Sequence, residues 1–175
     1  VLRVAVAAAE FGLPIAPGTL RNLKKCPIGD RNWTDESREL FIRLLASGPA
    51  LLNVWEDIDF IDVPGKLIPE WLGVRNRPSA SAAHRYTIDR HMVEVVTRLG
   101  RETPSGGRYD DRHYEALLLA GILHDIGKRP GVANHAAEGA RHATVVVERM
   151  GFDRDIVRWV TLLVREHLTL SEFAT

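Results

Sequence analysis

Apolar residues recur every three or four positions along most of the chain, a spacing that predicts amphipathic α-helices. No segment alternates apolar and polar residues in the way that half-buried strands do, so we predict an all-α fold. In the first half, helices are expected over 1–12, from a cap at Thr34 to a stop at Ser47–Pro49, and over 50–60. The intervening residues 14–32 are rich in Pro, Gly and Lys and predict a loop.

The second half has a cleaner pattern of apolar runs. Its first helix carries a single apolar stripe that includes Met92 and Val96. A very apolar helix follows a turn-rich break at Thr103–Gly107, and Gly127 lies where its C-terminal cap is expected. The predicted helices begin at the cap Thr87, at Asp110 or Asp111, near His135 and near Asp153, and the last two end at Gly151 and near His167.

A polar stretch of small residues, Arg75–Ala83, separates the two halves and predicts a boundary between them. We therefore expect a smaller helical linker region over 1–83 and a helical bundle over 84–175. Neither part contains an internal repeat or a low-complexity tract.

The composition is ordinary for a globular protein and says more about ligands than about the fold. Apolar residues make up 45% of the chain, charged residues 26%, and the formal net charge is zero. No overall field therefore draws nucleic acid or an anionic membrane to the surface, and no apolar run reaches the ~18 residues that span a bilayer. An anionic ligand would have to be held by a metal or by a few Arg and Lys side chains.

Cys26 is the single cysteine, so no disulfide can form within the chain. We expect it to be a buried thiol without a chemical role. A chain without disulfides fits a reducing compartment, and we expect a cytoplasmic protein.

The dipeptide His124-Asp125 is the strongest candidate for chemistry, because it ends an otherwise apolar helix. An imidazole and a carboxylate are costly to bury without partners, and a divalent cation would satisfy both. Taken alone, the pair is explained more simply as a polar helix end with a local hydrogen bond. Other helices add His91, His135 and His167, each at a helix end or on an apolar face, and a bundle could bring all four imidazoles to one site.

A donor set of imidazoles and a carboxylate, without cysteine, suits Mn²⁺, Mg²⁺, Fe or Zn²⁺, as one ion or as two. The other histidines have simpler explanations. His113 lies in the polar opening of a helix and is expected in solvent. His142 is expected at the surface, although its place two turns after His135 would also suit a contact with a metal ligand. His84 and Arg85 precede the Thr87 helix and are expected to be loop residues, although a contact with phosphate would suit them as well.

A further pattern is carried by three segments: His84-Arg85-Tyr86-Thr87-Ile88-Asp89-Arg90-His91, Leu123-His124-Asp125-Ile126-Gly127-Lys128 and Leu163-Val164-Arg165-Glu166-His167-Leu168. Together they resemble the HD superfamily of metal-dependent phosphohydrolases. Within it, the chain is most similar to the bifunctional PII uridylyltransferase/uridylyl-removing enzymes. Ile68-Pro69-Glu70-Trp71 and the helix over 33–45 resemble the linker between the nucleotidyltransferase and HD parts of that family.

This resemblance implies an HD-type helical bundle, preceded by a helical linker that forms the tail of an upstream nucleotidyltransferase half. It also implies a set of ligands for a divalent metal: His91, His124, Asp125, His135 and His167. Asp125 would in addition orient the attacking nucleophile, and Lys128 would neutralise the phosphate of the substrate. The superfamily pattern ends in one more Asp, which we expect beyond Thr175, so that the ligand set in this chain would be incomplete.

The implied activity is removal of a nucleotidyl group, uridylyl or adenylyl, from a tyrosine of the PII nitrogen-signalling protein, with a nucleotide monophosphate as the product. The reaction would be metal-dependent hydrolysis of a phosphodiester. Two alternatives stay open: an HD-type phosphohydrolase that acts on small nucleotides, and a non-catalytic helical interaction module whose histidines are structural. Neither a membrane nor a nucleic acid is expected as a partner.

Overall fold

The computed structural model describes residues 1–28, 33–78, 86–100 and 111–169. Within these ranges all regular secondary structure is helical, apart from one isolated β-bridge between Pro78 and Thr87. The prediction of an all-α fold is therefore confirmed. The elements are α1 (Leu2–Phe11), α2 (Pro17–Leu23), α3 (Asp35–Leu45), α4 (Ala50–Phe60), α5 (Val63–Leu67), a 3₁₀ helix (Pro69–Gly73), α6 (Ile88–Leu99), α7 (Asp111–Leu123), α8 (His135–Arg149) and α9 (Arg154–Arg165).

Several helices begin where a polar side chain can cap them. The Thr34 hydroxyl accepts a hydrogen bond from the Ser37 amide at 3.1 Å, which confirms the predicted cap of α3. Asn134 and Asp153 cap α8 and α9 in the same way. Thr87 does precede α6, but its side chain makes no capping hydrogen bond, so this part of the prediction is wrong.

Two expectations for the first part of the chain are wrong. The segment 14–32, predicted as a loop, contains α2, because Pro17 opens this helix at a position where its fixed φ and missing N–H are tolerated. Cys26 is exposed rather than buried, since it lies in the turn that follows α2. Its Sγ lies 3.6 Å from the carbonyl oxygen of Asn22, so the thiol belongs to the surface of this small helix.

The helices pack around one continuous hydrophobic core. α1 packs against α3 and α4, α7 packs against α6 and α9, and the most extensive contact joins α8 to α9. Contacts of α3 with α7 and of α4 with α6 connect these groups. Buried residues from the first half, such as Phe41 and Trp71, belong to the same cluster as Met92 and Leu119. The helices that precede the bundle therefore support it directly.

A partly buried ion pair ties the 3₁₀ helix to the bundle. The Glu70 carboxylate accepts hydrogen bonds from both terminal nitrogens of the Arg149 guanidinium on α8, at 2.9 and 2.6 Å. The backbone carbonyl of Glu70 accepts another, at 2.8 Å, from Arg129 in the loop before α8. Burial raises the pKa of Glu70, but the Arg149 guanidinium opposes this effect, and the net pKa lies below the ordinary value.

The predicted boundary at Arg75–Ala83 falls only partly within the described residues. Outside them lie residues 79–83, His84, Arg85, the break at Thr103–Gly107, Asp110 and residues 170–175. The division into 1–83 and 84–175 stays a prediction, because a shared core is compatible with either one unit or two. None of the described helices is both long enough and apolar enough to cross a membrane.

Removing the pair of Glu70 and Arg149 tests how firmly the 3₁₀ helix is held. We expect the double-mutant cycle of Glu70→Gln and Arg149→Met to give a coupling energy of about 1–2 kcal/mol, because both side chains are partly buried. Urea denaturation of the four proteins measures this energy. The exposed pair of Arg3 and Glu36 is the control, and its cycle is expected at about 0–1 kcal/mol. Equal values for the two cycles would contradict the expected strength.

Candidate metal centre

The turn after α7 brings a carboxylate into the interior of the bundle. α7 ends at Leu123, and tight turns follow, closed by hydrogen bonds from Ile126 N to Leu123 O at 3.0 Å and from Lys128 N to Asp125 O at 2.9 Å. His124 and Asp125 therefore lie just beyond the helix rather than in its last residues. Asp125 is only 2% exposed, so its charge has to be compensated within the protein.

Gly127 allows this turn to lie directly against α8. A Cβ at Gly127 would lie 2.8 Å from the Cα of Gly139, and closer still to the Gly139 nitrogen and the His135 oxygen. Gly127 does not have the positive φ of a left-handed helix cap, so the predicted cap is wrong. A glycine is needed here because two backbones approach each other closely.

Four imidazoles surround the Asp125 carboxylate. On the Oδ2 side, the Nε2 of His124 lies 3.5 Å away and the Nε2 of His91, on α6, lies 4.0 Å away. On the Oδ1 side, the Nε2 of His167 lies at 3.5 Å and the Nε2 of His135, the first residue of α8, at 3.8 Å. The fold thus brings together all five residues predicted as ligands, and their binding of a metal stays a prediction.

Two of these imidazoles are oriented through their second ring nitrogen. The Nδ1 of His124 donates to the Gly121 carbonyl at 2.8 Å, and the Nδ1 of His167 donates to the Val164 carbonyl at 2.7 Å. Because a carbonyl can only accept, a neutral ring in this position carries its proton on Nδ1 and a lone pair on Nε2. This arrangement is typical of histidines that bind a metal through Nε2.

Several buried polar atoms of the site have no hydrogen-bond partner among the described residues, namely Oδ1 of Asp125 and the Nε2 atoms of His135 and His167. Each such atom costs about 1–3 kcal/mol, whereas one cation between them would satisfy all three. Two sets of ligand atoms, each within 4.8 Å of one another, could hold a metal ion: His91, His124 and Asp125, and Asp125, His135 and His167. The donors present therefore fit one ion, or two ions bridged by Asp125.

The charges of the site also suit a cation. Burial raises the pKa of Asp125. The nearby imidazoles of His124 and His167 and the Lys128 ammonium together lower it by a larger amount, so the net pKa lies well below the ordinary value. Burial lowers the pKa of His135, and the Asp125 charge opposes this only in part. Burial also lowers the pKa of His167, but the Asp125 carboxylate opposes this effect, and the net pKa is raised. Asp125 is thus ionised at neutral pH, and a bound cation would replace the proton that His167 attracts.

Lys128 lies at the edge of this centre. Its Nζ donates to Oδ2 of Asp125 at 3.0 Å, and its side chain is 23% exposed. The Lys128 side chain is therefore bound to the buried carboxylate and is also partly exposed to solvent. The predicted contact of Lys128 with a substrate phosphate stays a prediction.

A groove of about 660 Å³ adjoins the centre at His135 and Lys128. Cationic and apolar side chains line it together, among them Arg77, Pro78 and Ile88, and no acidic residue of the described ranges does. Arg77 belongs to the segment predicted as a boundary, and its position beside the centre was not predicted from the sequence. No local pattern signals this position, because it depends on the path of the backbone from the 3₁₀ helix to α6.

The remaining described histidines lie outside the cluster. His113 is exposed, as predicted, and its ring stacks on Trp159 with 4.2 Å between the ring centroids. The prediction of a surface position for His142 is wrong, since its side chain is only 12% exposed and lies 3.0 Å from Glu138. This face of α8 lies near Arg129, which comes from the preceding loop, and spacing along the helix does not reveal such a neighbour.

The whole chain is similar to one segment of proteins named bifunctional uridylyltransferase/uridylyl-removing enzyme. The relative from Streptomyces coelicolor is 39% identical over 177 residues, which cover 99% of this chain and 20% of the relative. A relative from Mycobacterium tuberculosis is 36% identical over 100% of this chain and 21% of its own length. One from Corynebacterium glutamicum is 32% identical over 99% of this chain and 24% of its own length.

These homologues confirm the resemblance of this chain to the uridylyltransferase/uridylyl-removing enzymes. No family model matches the chain. The chain spans about a fifth of the length of the curated relatives it matches. The relation therefore concerns one segment of those enzymes, and membership of the wider HD superfamily stays a prediction.

Replacing Gly127 with Ala tests the close contact between the turn and α8. We expect the free energy of unfolding to fall by about 1–3 kcal/mol, because the new methyl group would meet backbone atoms that cannot move independently. Urea denaturation followed by circular dichroism measures this loss. Gly18→Ala is the matched control, since a Cβ there meets only the flexible Arg21 side chain at 3.7 Å and little change is expected. An unaltered stability of Gly127→Ala would rule out the contact.

The two sets of ligand atoms predict different effects on metal binding, because Asp125 belongs to both and His135 to only one. We expect Asp125→Asn to weaken binding of every Mn²⁺ ion by more than about a hundredfold, and His135→Ala to weaken only the ion on the Oδ1 side. Calorimetric titration with Mn²⁺ measures both the number of ions and their affinities. His113→Ala, outside the cluster, should bind as the parent does. Full Mn²⁺ binding by Asp125→Asn would show that the carboxylate is not a ligand.

Proposed function

We propose that this chain is a metal-dependent phosphodiesterase that removes a nucleotidyl group, uridylyl or adenylyl, from a tyrosine of the PII nitrogen-signalling protein. The observation that carries the proposal is the convergence of four imidazoles on the buried Asp125 carboxylate. The name of the homologues includes uridylyl removal and supports this choice of reaction. Residues 1–83 would then form the tail of a nucleotidyltransferase half and 84–175 the HD-type hydrolase, acting in the cytoplasm.

Hydrolysis of such an ester forms a bond from a water oxygen to phosphorus and breaks the bond from phosphorus to the tyrosine oxygen. The products are a nucleotide monophosphate and an unmodified tyrosine. A divalent cation held there, Mn²⁺, Mg²⁺, Fe or Zn²⁺, would supply the chemistry of making water acidic enough to attack near neutral pH. The departing phenol has a pKa of about 10, so it needs less help from an acid than an aliphatic alcohol does.

The side chains of the centre have distinct parts in this reaction. The four imidazoles would hold the ion or ions through their Nε2 atoms, and Asp125 through its carboxylate oxygens. Asp125 would also orient the attacking water, because its carboxylate stays ionised and accepts hydrogen bonds. Lys128 brings a positive charge to the edge of the centre, where it would neutralise the phosphoryl oxygens.

Two other functions would use this molecule differently. A phosphohydrolase for small nucleotides would use the same centre with another substrate. A helical module without a metal would leave buried atoms of Asp125, His135 and His167 with no hydrogen-bond partner among the described residues. These atoms therefore favour a metal-binding centre over histidines that are only structural.

Activity and metal content are expected to be lost together when the centre is removed. For His124→Ala and Asp125→Asn we expect release of UMP from uridylylated PII to fall by at least about a hundredfold, because each variant lacks a side chain that would hold the cation. Chromatography of released UMP and elemental analysis of the purified proteins measure the two losses. Far-ultraviolet circular dichroism should stay close to that of the parent, since the helices themselves are unchanged.

His113→Ala is the matched control, because this exposed histidine stacks on Trp159 outside the cluster, and it should keep both metal and activity. Free nucleotides offered to the parent protein separate the alternatives. Cleavage of free nucleotides without cleavage of modified PII favours the small-molecule enzyme, and a protein without metal or activity favours the helical module. Parental rates in either variant at the centre would contradict the proposal.

A further inference from the structure

The groove beside the metal centre has a charge pattern suited to an anion. Arg77, Lys128 and Arg129 line it, and none of the described residues that line it is acidic. The chain as a whole has no net charge, so this positive surface is a local feature. Its volume of about 660 Å³ lies in the range of sites that bind nucleotides and similar small molecules.

Two of these cations already have acceptors within the protein. Lys128 donates to Asp125 at 3.0 Å, and Arg129 donates to the carbonyl of Glu70 at 2.8 Å. Arg77 is exposed, and its guanidinium forms no salt bridge or hydrogen bond with the residues that the structure describes. Among the described cations that line the groove, Arg77 is therefore the one without an acceptor inside the protein.

The backbone around Arg77 is held against the start of α6. The carbonyl of Arg77 accepts a hydrogen bond from the Ile88 amide at 2.9 Å, and the Asn76 amide donates to Oδ2 of Asp89 at 2.8 Å. α6 also carries His91 of the metal centre. The same helix therefore holds the backbone of Arg77 and carries one residue of the centre.

Apolar surfaces complete the groove. Pro78, Ile88, Pro130 and Val132 offer faces against which an aromatic ring can lie. An arginine can donate two parallel hydrogen bonds to the oxygens of one phosphate. We infer that Arg77 binds the phosphate of a nucleotidyl ester whose ring lies on this apolar wall, an assignment that rests on the proposed function. The segment before the bundle thereby completes the substrate site.

Substitution of Arg77 in the metal-loaded protein tests this assignment. With uridylylated PII as substrate, Arg77→Gln should raise KM roughly ten- to hundredfold and leave kcat and metal content unchanged, because the contact is made equally in the ground and transition states. Arg77→Lys keeps the charge without the paired donors and should restore part of the loss. Inhibition by UMP should weaken in Arg77→Gln, whereas inhibition by uridine, which lacks the phosphate, should not change.

Arg158→Gln is the matched control, because Arg158 is exposed on α9 and does not line the groove. Unchanged KM and unchanged UMP inhibition in Arg77→Gln overturn the inference and leave the proposed function intact. A parent protein that does not cleave uridylylated PII counts against the proposed function, and calorimetry with UMP alone then decides the groove. Weaker UMP binding by Arg77→Gln than by the parent supports the phosphate site, whereas equal binding, or none by either protein, overturns it.

Discussion

The burial of a single negative charge organises this molecule. Asp125 is 2% exposed, and a carboxylate so far from water stays ionised only among positive charges and hydrogen-bond donors. The Lys128 ammonium donates to this carboxylate, and four imidazoles surround it; these groups come from α6, from the start of α8 and from the turns after α7 and α9. The ends of these helices thus meet around one carboxylate. A divalent cation would complete the compensation that the protein begins.

Much of this arrangement could be predicted from the sequence, because helix caps and apolar stripes are local signals. Thr34 marks the start of its helix correctly, and the histidines at helix ends indicate a common site. The features that could not be predicted depend on distant parts of the chain. Arg129 from the preceding loop lies near His142. A glycine is needed at position 127 because the backbone of α8 approaches closely, and not because the helix ends in a cap there. Arg77 reaches the groove only through the path of its segment.

The region before the bundle has a larger part in the structure than its composition suggests. Small polar residues around 75–83 resemble a connection between independent units, yet the helices on either side share one core. Trp71 from this region is 1% exposed and belongs to the same cluster as the residues of α6 and α7. In the proposed reaction, Asp125 and the imidazoles of the metal centre come from the bundle, whereas Arg77, which would bind the ester phosphate, comes from the region before it. Their relative position then depends on this shared packing.

Glu70 restrains the loop that borders the groove beside the metal centre. Its carboxylate is bound by Arg149 at the end of α8, and its carbonyl is bound by Arg129 in the loop that borders the groove. The 3₁₀ helix, this loop and α8 are therefore joined at one residue, and these hydrogen bonds restrain the loop that forms one wall of the groove. A groove with a restrained wall favours ligands that match its existing width over ligands that require the wall to move.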